Sequence, residues 1–347
     1  MEEYGYGEEE SIPFVLSRGT NSKGLRANVL STAGKNLLPF LTAKNVSALR
    51  GVSAYARNTV NYDYLGSKET VIRGSLAQWR LQFPNARYAN ISGRNDLRDE
   101  DFLHLKGIKW LNMSFCNQPT ITDAAFAHIK GVHTLYMSRC DQRTITNAAF
   151  AHIKGVHTLD MSWCWQESIT DAAFAHIKGV HTLDMSWCCQ PTITDAAFAH
   201  IKGVHTLNME NCLQAGITDA AFAHIKGVHT LYMAYCSRAI TDAAFEHLRG
   251  IHTLDMSYCN QAGITGKTLY MLGDKLQILN IKSCNNETKK NANLFFGVTP
   301  LDPQVKMHLT PLEEEPVIQL GKPRRPPFGG RRTRKAKRKA KKTRRRK

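Results

Sequence analysis

Nine cysteines and fourteen histidines are the residues of this 347-residue chain best suited to metal or redox chemistry. Their spacing argues against both. Cys116, Cys140, Cys164, Cys188, Cys212, Cys236, Cys259 and Cys284 recur at one phase of a 24-residue interval that slips by one only at its last two steps, and Cys189 is the ninth. No C-x-x-C pair occurs, and a zinc site needs ligands that converge rather than one per interval. Buried structural thiols are the expectation. Thirteen histidines fall in two registers, one from His104 and His128 to His247, the other from His133 to His252. Each register is a ladder rather than a cluster, so solvent-edge positions copied with the interval are expected. Protonation near pH ~6.5 would set the members of a ladder against one another. Gly263-Ile-Thr-Gly266-Lys267-Thr268 brushes against a phosphate loop, but Gln261 stands where the first glycine belongs. No G-x-S-x-G, H-E-x-x-H or G-x-G-x-x-G is present. The expectation is a chain that is not an enzyme and carries no metal and no cofactor.

The elements that carry these ladders follow from the interval itself. From Thr120 to about Cys284 the phrase I-T-D-A-A-F-A-H-I-K-G-V-H-T-L-x-M-S-x-C recurs. A fixed period in the twenties with apolar residues at fixed phases indicates a solenoid in which each unit buries its core against its neighbours. In Val132-His-Thr-Leu135-Tyr-Met137-Ser-Arg-Cys140, Leu135 and Met137 alternate with Tyr136, which predicts a short strand with the first two inward. A thiol at Cys140 could turn inward toward loop carbonyls otherwise left unpaired. In Ile169-Thr170-Asp171-Ala-Ala173-Phe174-Ala-His-Ile177-Lys178-Gly179, Thr170 reads as an N-cap and Asp171 as a first-turn acid complementing the helix dipole. Ala173, Phe174 and Ile177 form the inward stripe, and Gly179 reads as the C′ residue. Eight well-formed strands are expected, with a polar version of the unit at residues 86–107 and an altered last helix from Ile264 to Gly273 as caps.

The L-x-x-L-x-L-x-x-C pattern of Val132, Leu135, Met137 and Cys140, together with I-T-D, resembles the cysteine-containing subfamily of leucine-rich repeats over about 200 residues. The resemblance implies an α/β leucine-rich-repeat solenoid: a curved horseshoe with parallel strands inside and short helices outside. Arrays as uniform as this one also resemble repeat families expanded in large DNA viruses of amoebae, which would make capture of a host ligase plausible. In the cysteine-containing family such arrays commonly follow an F-box, the helical module that docks onto a cullin–RING ubiquitin ligase adaptor. Leu41, Asn45-Val46, Leu49, Val52-Ser53 and Arg57 resemble the second half of one, and Leu49, Val52 and Tyr55 share a helical face. The Leu-Pro start is missing near Val29-Leu30, and Ala56 stands where a tryptophan is usual. The segment reads either as a degenerate F-box, with Leu41, Val46, Leu49, Val52 and Tyr55 meeting the adaptor, or as a helical cap for the array.

Comparison of the units with one another locates variation. The helix phrase Ala-Ala-Phe hardly changes, whereas two phases of the strand and following loop do. One reads Asn112, Tyr136, Asp160, Asp184, Asn208, Tyr232, Asp255, Asn280; the other Phe115, Arg139, Trp163, Trp187, Asn211, Tyr235, Tyr258, Ser283. Both are expected to project from the concave sheet. Aromatics beside carboxylates on an open face are the composition of a protein-binding surface. Tyr136, Arg139, Asp160, Trp163, Asp184, Trp187, Tyr232, Tyr235 and Tyr258 are the candidate contacts with a target protein.

The net charge of +17 belongs to one end. Residues 322–347 hold sixteen Lys/Arg and no acid, leaving 30 basic against 29 acidic residues elsewhere. Such a run cannot fold alone and suits nuclear import or non-specific, salt-sensitive contact with nucleic acid. Arg331, Arg332, Lys335, Lys337, Arg338, Lys339, Lys341 and Lys342 carry either role. The acidic start lacks a signal-peptide core, and no apolar run reaches the ~18 residues of a membrane span. The expected organisation is an acidic disordered N-terminus (1–25), the F-box-like helical module (26–65), the capped solenoid (66–290), a C-terminal extension (291–321) and a basic disordered tail (322–347). An intracellular, nuclear or nucleocytoplasmic protein is expected, monomeric outside its complex and without a membrane partner. Two roles are open: a substrate receptor of a cullin–RING ubiquitin ligase, or a repeat scaffold without ligase link that the tail holds on nucleic acid.

Overall fold

A computed structural model of the chain describes residue 66 and residues 68–296. Nine three-residue strands form one parallel sheet in sequence order. They are β1 (Tyr88–Asn90), β2 (Trp110–Asn112), β3 (Thr134–Tyr136), β4 (Thr158–Asp160), β5 (Thr182–Asp184), β6 (Thr206–Asn208), β7 (Thr230–Tyr232), β8 (Thr253–Asp255) and β9 (Ile278–Asn280). The register never slips: Leu111, Leu135, Leu159, Leu183, Leu207, Leu231, Leu254 and Leu279 are successive partners. Between strands the chain returns through one short α- or 3-10 turn such as Asp171–Phe174 followed by Ala175–Ile177. This is the leucine-rich-repeat solenoid, with strands on one face and helical turns on the other. The polar first unit supplies a ninth strand beyond the eight well-formed ones.

The core is one column per phase. Every Leu and Met of the repeated strands, and Phe102, Phe126, Phe150, Phe174, Phe198, Phe222 and Phe245 of the helical turns, are buried. A three-residue strand cannot stand alone; it exists because its inward leucine packs between two copies of itself. The caps close the column with non-repeated helices. Leu76–Gln82 buries Leu76 at one end, and Asn286–Phe296 buries Thr288 and Ala292 at the other. That last helix carries the packed cap past the boundary expected at residue 290.

Three polar devices hold successive units in register, and only part of their work was legible in the sequence. Thr170 caps its turn by accepting from the Ala172 N–H at 3.3 Å, as read. Asp171 does more than complement a dipole: its two carboxylate oxygens accept from the N–H and the hydroxyl of Thr194, one unit on, both at 2.7 Å. The same clamp joins Asp99 to Thr122, Asp123 to Thr146, Asp195 to Thr218 and Asp219 to Thr241. The eight cysteines of the repeated phase are buried as expected; Cys140 donates to the Met113 carbonyl at 3.1 Å and Cys188 to that of Met161 at 3.1 Å. Cys236 departs from the pattern at the shortened step, where its sulfur lies 3.0 Å from that of Cys259. The third device was not singled out in the sequence. Buried glutamines two residues after the cysteine, Gln142, Gln166 and Gln214, donate to the carbonyls of Cys116, Cys140 and Cys188 at 3.0–3.1 Å.

Candidate protein-recognition face

The residue before each cysteine sits in a backbone conformation that side chains avoid. Phe115, Arg139, Trp163, Trp187, Asn211, Tyr235, Tyr258 and Ser283 all have φ between 52° and 64°. A non-glycine residue in the left-handed region costs roughly 1 kcal/mol or more, so something must hold each one there. The backbone ladder does: Trp163 N–H donates to Ser186 O at 2.9 Å and Trp187 N–H to Glu210 O at 2.8 Å, extending the sheet's pairing past its last residue. With the amide so placed and the cysteine directed inward, the intervening side chain is expelled at the downstream edge of the sheet. These residues therefore rim the sheet face from the loop and do not stand on its strands, a correction to the expected placement.

Expelled side chains one rung apart must meet, and they stack. The Trp163 and Trp187 rings lie 4.2 Å apart at 7°. Tyr235 and Tyr258 lie 4.3 Å apart at 8°. The Arg139 guanidinium is 4.2 Å from the Trp163 ring and 5.5 Å from the Phe115 ring, so it fills the gap between two aromatics as a cation–π link. Phe115, Arg139, Trp163 and Trp187 thus form one continuous ridge, Asn211 interrupts it, and the tyrosine pair resumes it. Trp165 braces the ridge from the next phase but one: it tilts against Trp163 at 5.7 Å and donates from Nε1 to Trp187 O at 2.6 Å. Trp165, Leu213 and Phe115 are each more than half exposed. Trp165 and Leu213 are not among the candidate contacts expected from the sequence, yet their phase, the one after the cysteine (Asp141, Trp165, Cys189, Leu213), varies as strongly as the two phases that supply those contacts.

The strand phase differs from expectation in its burial. Tyr136 and Tyr232 are half-buried on the sheet face, and burial pushes both phenols up. Asp160 and Asp184 are expected on an open surface but are only 9% and 5% exposed. Three of their four oxygens accept hydrogen bonds. Asp160 Oδ1 accepts from the Ser162 N–H at 2.9 Å and its hydroxyl at 2.7 Å; Asp184 Oδ1 does the same for Ser186 at 2.9 and 2.6 Å, and its Oδ2 accepts from Asn208 Nδ2 at 3.0 Å. Asn112, Asn208 and Asn280 make the same turn with amides. Where this phase carries Asp or Asn it is therefore an Asx turn that steers the chain from strand into the left-handed step. The two carboxylates are rung partners. Burial first, then the neighbouring Asp184, pushes Asp160 up to about 7, and burial raises Asp184 as well.

The one exposed thiol beside this face, Cys189, donates to the Asn211 carbonyl at 3.1 Å, and partial burial raises it from the usual value. Burial pushes the Cys116 thiol up to about 11 and likewise raises Cys140, Cys164 and Cys188 well above the usual thiol value. Among the described residues no three His, Cys, Asp or Glu converge on a point where a metal ion could sit. Leu41, Val46, Leu49, Val52 and Tyr55, and the basic run from Arg331 to Lys342, lie outside the described residues.

No protein-family model and no curated protein sequence matches the chain. Solved structures resemble it at low identity. A chain of the TLR13–ssRNA13 complex is 16% identical with a TM-score of 0.45, the match covering 58% of this chain and 32% of that one. A chain of the yeast Rad7 and Elc1 complex is 15% identical with a TM-score of 0.42, covering 58% and 56%. The internalin inlF of Listeria monocytogenes is 14% identical with a TM-score of 0.48, covering 75% of both. The chain spans less than two thirds of the length of the first two.

Proposed function

We propose that this chain is a non-catalytic recognition subunit that grips a target protein along the ridge Phe115–Arg139–Trp163–Trp187 and the half-buried tyrosines beside it. The observation that supports the reading is the ridge itself. Stacked, partly exposed aromatics with an arginine between them supply large, rigid contact area at low entropy cost, the composition of interface hot spots. The helical face of the same units shows no such variation, so the differences gather where a specific partner would be read. Within this reading the F-box-like segment couples the target to the adaptor of a cullin–RING ubiquitin ligase, making the chain a substrate receptor. The experiment is co-purification of the full chain from cells, with and without residues 37–60, and with Trp163→Ala/Trp187→Ala. Adaptor lost with the segment and target lost with the tryptophans is the expected pattern. Adaptor absent from the intact chain sinks the ligase assignment, and a target indifferent to both tryptophans sinks the ridge.

The second reading keeps the ridge and drops the ligase. The sixteen basic residues of 322–347 favour it, since such a run holds a scaffold on nucleic acid without any adaptor. Loss of nuclear or nucleic-acid association on removing that run, with target binding intact, is its signature.

A further inference from the structure

The opposite edge of the sheet, where helical turns descend into strands, has a chemistry of its own. Each unit reaches its strand through Lys-Gly-Val-His, repeated without change from Lys130 to His229 and closed by Arg249-Gly-Ile-His252. The strand-side histidines continue the sheet's ladder: His157 N–H donates to His133 O, His181 to His157, His205 to His181 and His229 to His205, all at 2.9 Å. Backbones held at strand spacing force the rings face to face. Six imidazoles from His133 to His252 stack at centroid separations of 4.1–4.6 Å and angles of 11–16°. Nδ1 of each of the first five lies 3.1–3.4 Å from the hydroxyl of the following threonine. With the faces covered by neighbours and Nδ1 engaged, the Nε2 edge is what the rings of His133, His157, His205 and His229 have to offer.

Apart from Glu246 and Asp274 near its last rung, the groups around this column are cations or neutral. Three residues earlier on each rung stand Lys130, Lys154, Lys178, Lys202, Lys226 and Arg249, all exposed, and the helical turns add His128, His152, His176, His200, His224 and His247. Lys109 extends the column at one end, its Nζ donating to Gly131 O at 2.9 Å, and Asp274, Lys275 and Gln277 close the other. Glu246 sits on the last helical turn. The sheet-face acids Asp160, Asp184, Glu210 and Asp255 belong to the far ends of the strands. Among the described residues the two ion pairs, Arg94–Asp96 and Lys267–Glu287, are elsewhere. Burial, then the flanking imidazoles, lowers His157 and His229 from the usual value, and no carboxylate offsets this.

We propose that this lysine–histidine edge is a nucleic-acid backbone site, in which the row of Nε2–H and ammonium donors lies along a run of phosphates and takes up protons as it binds. The site's uniformity is the argument for its ligand. The sheet face varies from rung to rung and suits one particular protein; an edge that repeats without change over roughly 19 Å, at ~4.8 Å per rung, suits a polymer that also repeats. Point-like cations without exposed ring faces can neutralise phosphates but cannot stack on bases, so the contact is blind to sequence. Phosphates held along the column relieve the repulsion that six adjacent imidazolium rings would otherwise feel.

The test is titration of the full chain against a fluorescein-labelled oligothymidylate of ~20 nucleotides at a fixed ionic strength of about 0.15 M. The basic tail does not titrate between pH 7.5 and 5.5, so it contributes equally at both, and the pH-dependent part reports the edge. The expected result is an affinity gain of about tenfold or more at pH 5.5, with a salt slope steeper by roughly 0.7 for each imidazole recruited to a phosphate. His157→Gln/His205→Gln/His229→Gln should remove most of that gain. Asp160→Asn, which takes the sheet-face acid out of the same pH window, should leave it intact. Circular dichroism at pH 5.5 checks that the histidine variant is folded; if it is not, Lys154→Gln/Lys178→Gln/Lys202→Gln serves in its place and should weaken binding at both pH values. Equal gains in parent and histidine variant overturn the proposal. So does a gain abolished by Asp160→Asn, or one seen with heparin and not with the oligonucleotide.

Discussion

Replacing Asp171 by alanine removes a clamp between two units at the middle of the array. Its carboxylate oxygens hold the N–H and the hydroxyl of Thr194, both at 2.7 Å, and that hydroxyl in turn accepts from the Ala196 N–H at 3.3 Å. Alanine leaves the Thr194 amide without its partner and frees the hydroxyl that caps the next turn. Hydrogen bonds to a charged group are worth about 1.5–3 kcal/mol each. The clamp is partly exposed, so the lower end applies, and the two bonds together give a loss of about 3 kcal/mol. The chain contains its own control. At the same phase Asn147 accepts from the Thr170 N–H at 2.9 Å and donates through Nδ2 to the Thr170 hydroxyl at 2.9 Å, so an amide also closes the clamp. Asp171→Asn should therefore cost no more than about 1 kcal/mol, the net worth of one ordinary hydrogen bond. Urea unfolding followed by circular dichroism measures both. Because a solenoid's stability is a sum of units and nearest-neighbour interfaces, the alanine variant should also show a lower slope or two transitions as the halves separate. Asparagine proving as damaging as alanine, or alanine costing under about 0.5 kcal/mol, would refute the clamp.

The buried acids and the stacked histidines pull stability in opposite directions with pH. Asp160 is raised in the folded chain to about 7, so between pH ~4 and ~7 the unfolded chain loses its proton first, and stability falls as pH rises. Asp160→Asn keeps the Asx turn and should stabilise the protein at pH 8 by on the order of 1 kcal/mol while changing little at pH 4; a variant less stable than its parent at pH 8 counts against it. His157 and His229 are lowered in the folded chain, so the unfolded chain binds more protons below pH ~6.5 and stability falls as pH drops through that range. His157→Gln should flatten that acid limb in thermal melts at pH 5.5 and 7.5, and an unchanged limb removes the idea. Of the nine thiols only Cys189 is exposed, so a thiol reagent should label one cysteine rapidly in the native protein and nine in urea; a second fast site in the native state contradicts the buried column.

Which parts were legible follows from the range of the interactions that decide them. The Thr170 cap and the Gly179 stop are legible within one unit because each is set by residues a few positions away, and the core phases and inward thiols are legible because every unit copies them at one phase. Asp171 reads in the sequence as a local dipole partner because its real partner, Thr194, is one turn of the solenoid away. Asp160 and Asp184 looked like surface acids for the same reason: nothing in Leu-Asp-Met-Ser tells that neighbouring rungs shut out the water. Trp165 and Leu213 escaped because their phase carries small or polar residues in most other units.

The sequence by itself determined the architecture. A 24-residue period with fixed apolar phases leaves a parallel sheet backed by short helical turns as the way to bury every Leu, Met and Phe at once. It also determined which phases vary and which do not. Tertiary structure decided what those phases become, since side chains 24 residues apart meet only when the rungs are laid at strand spacing. That spacing makes a cation–π and aromatic ridge of Phe115, Arg139, Trp163 and Trp187. It closes Asp160 and Asp184 away from solvent, and it turns a copied histidine into a column of six rings in contact.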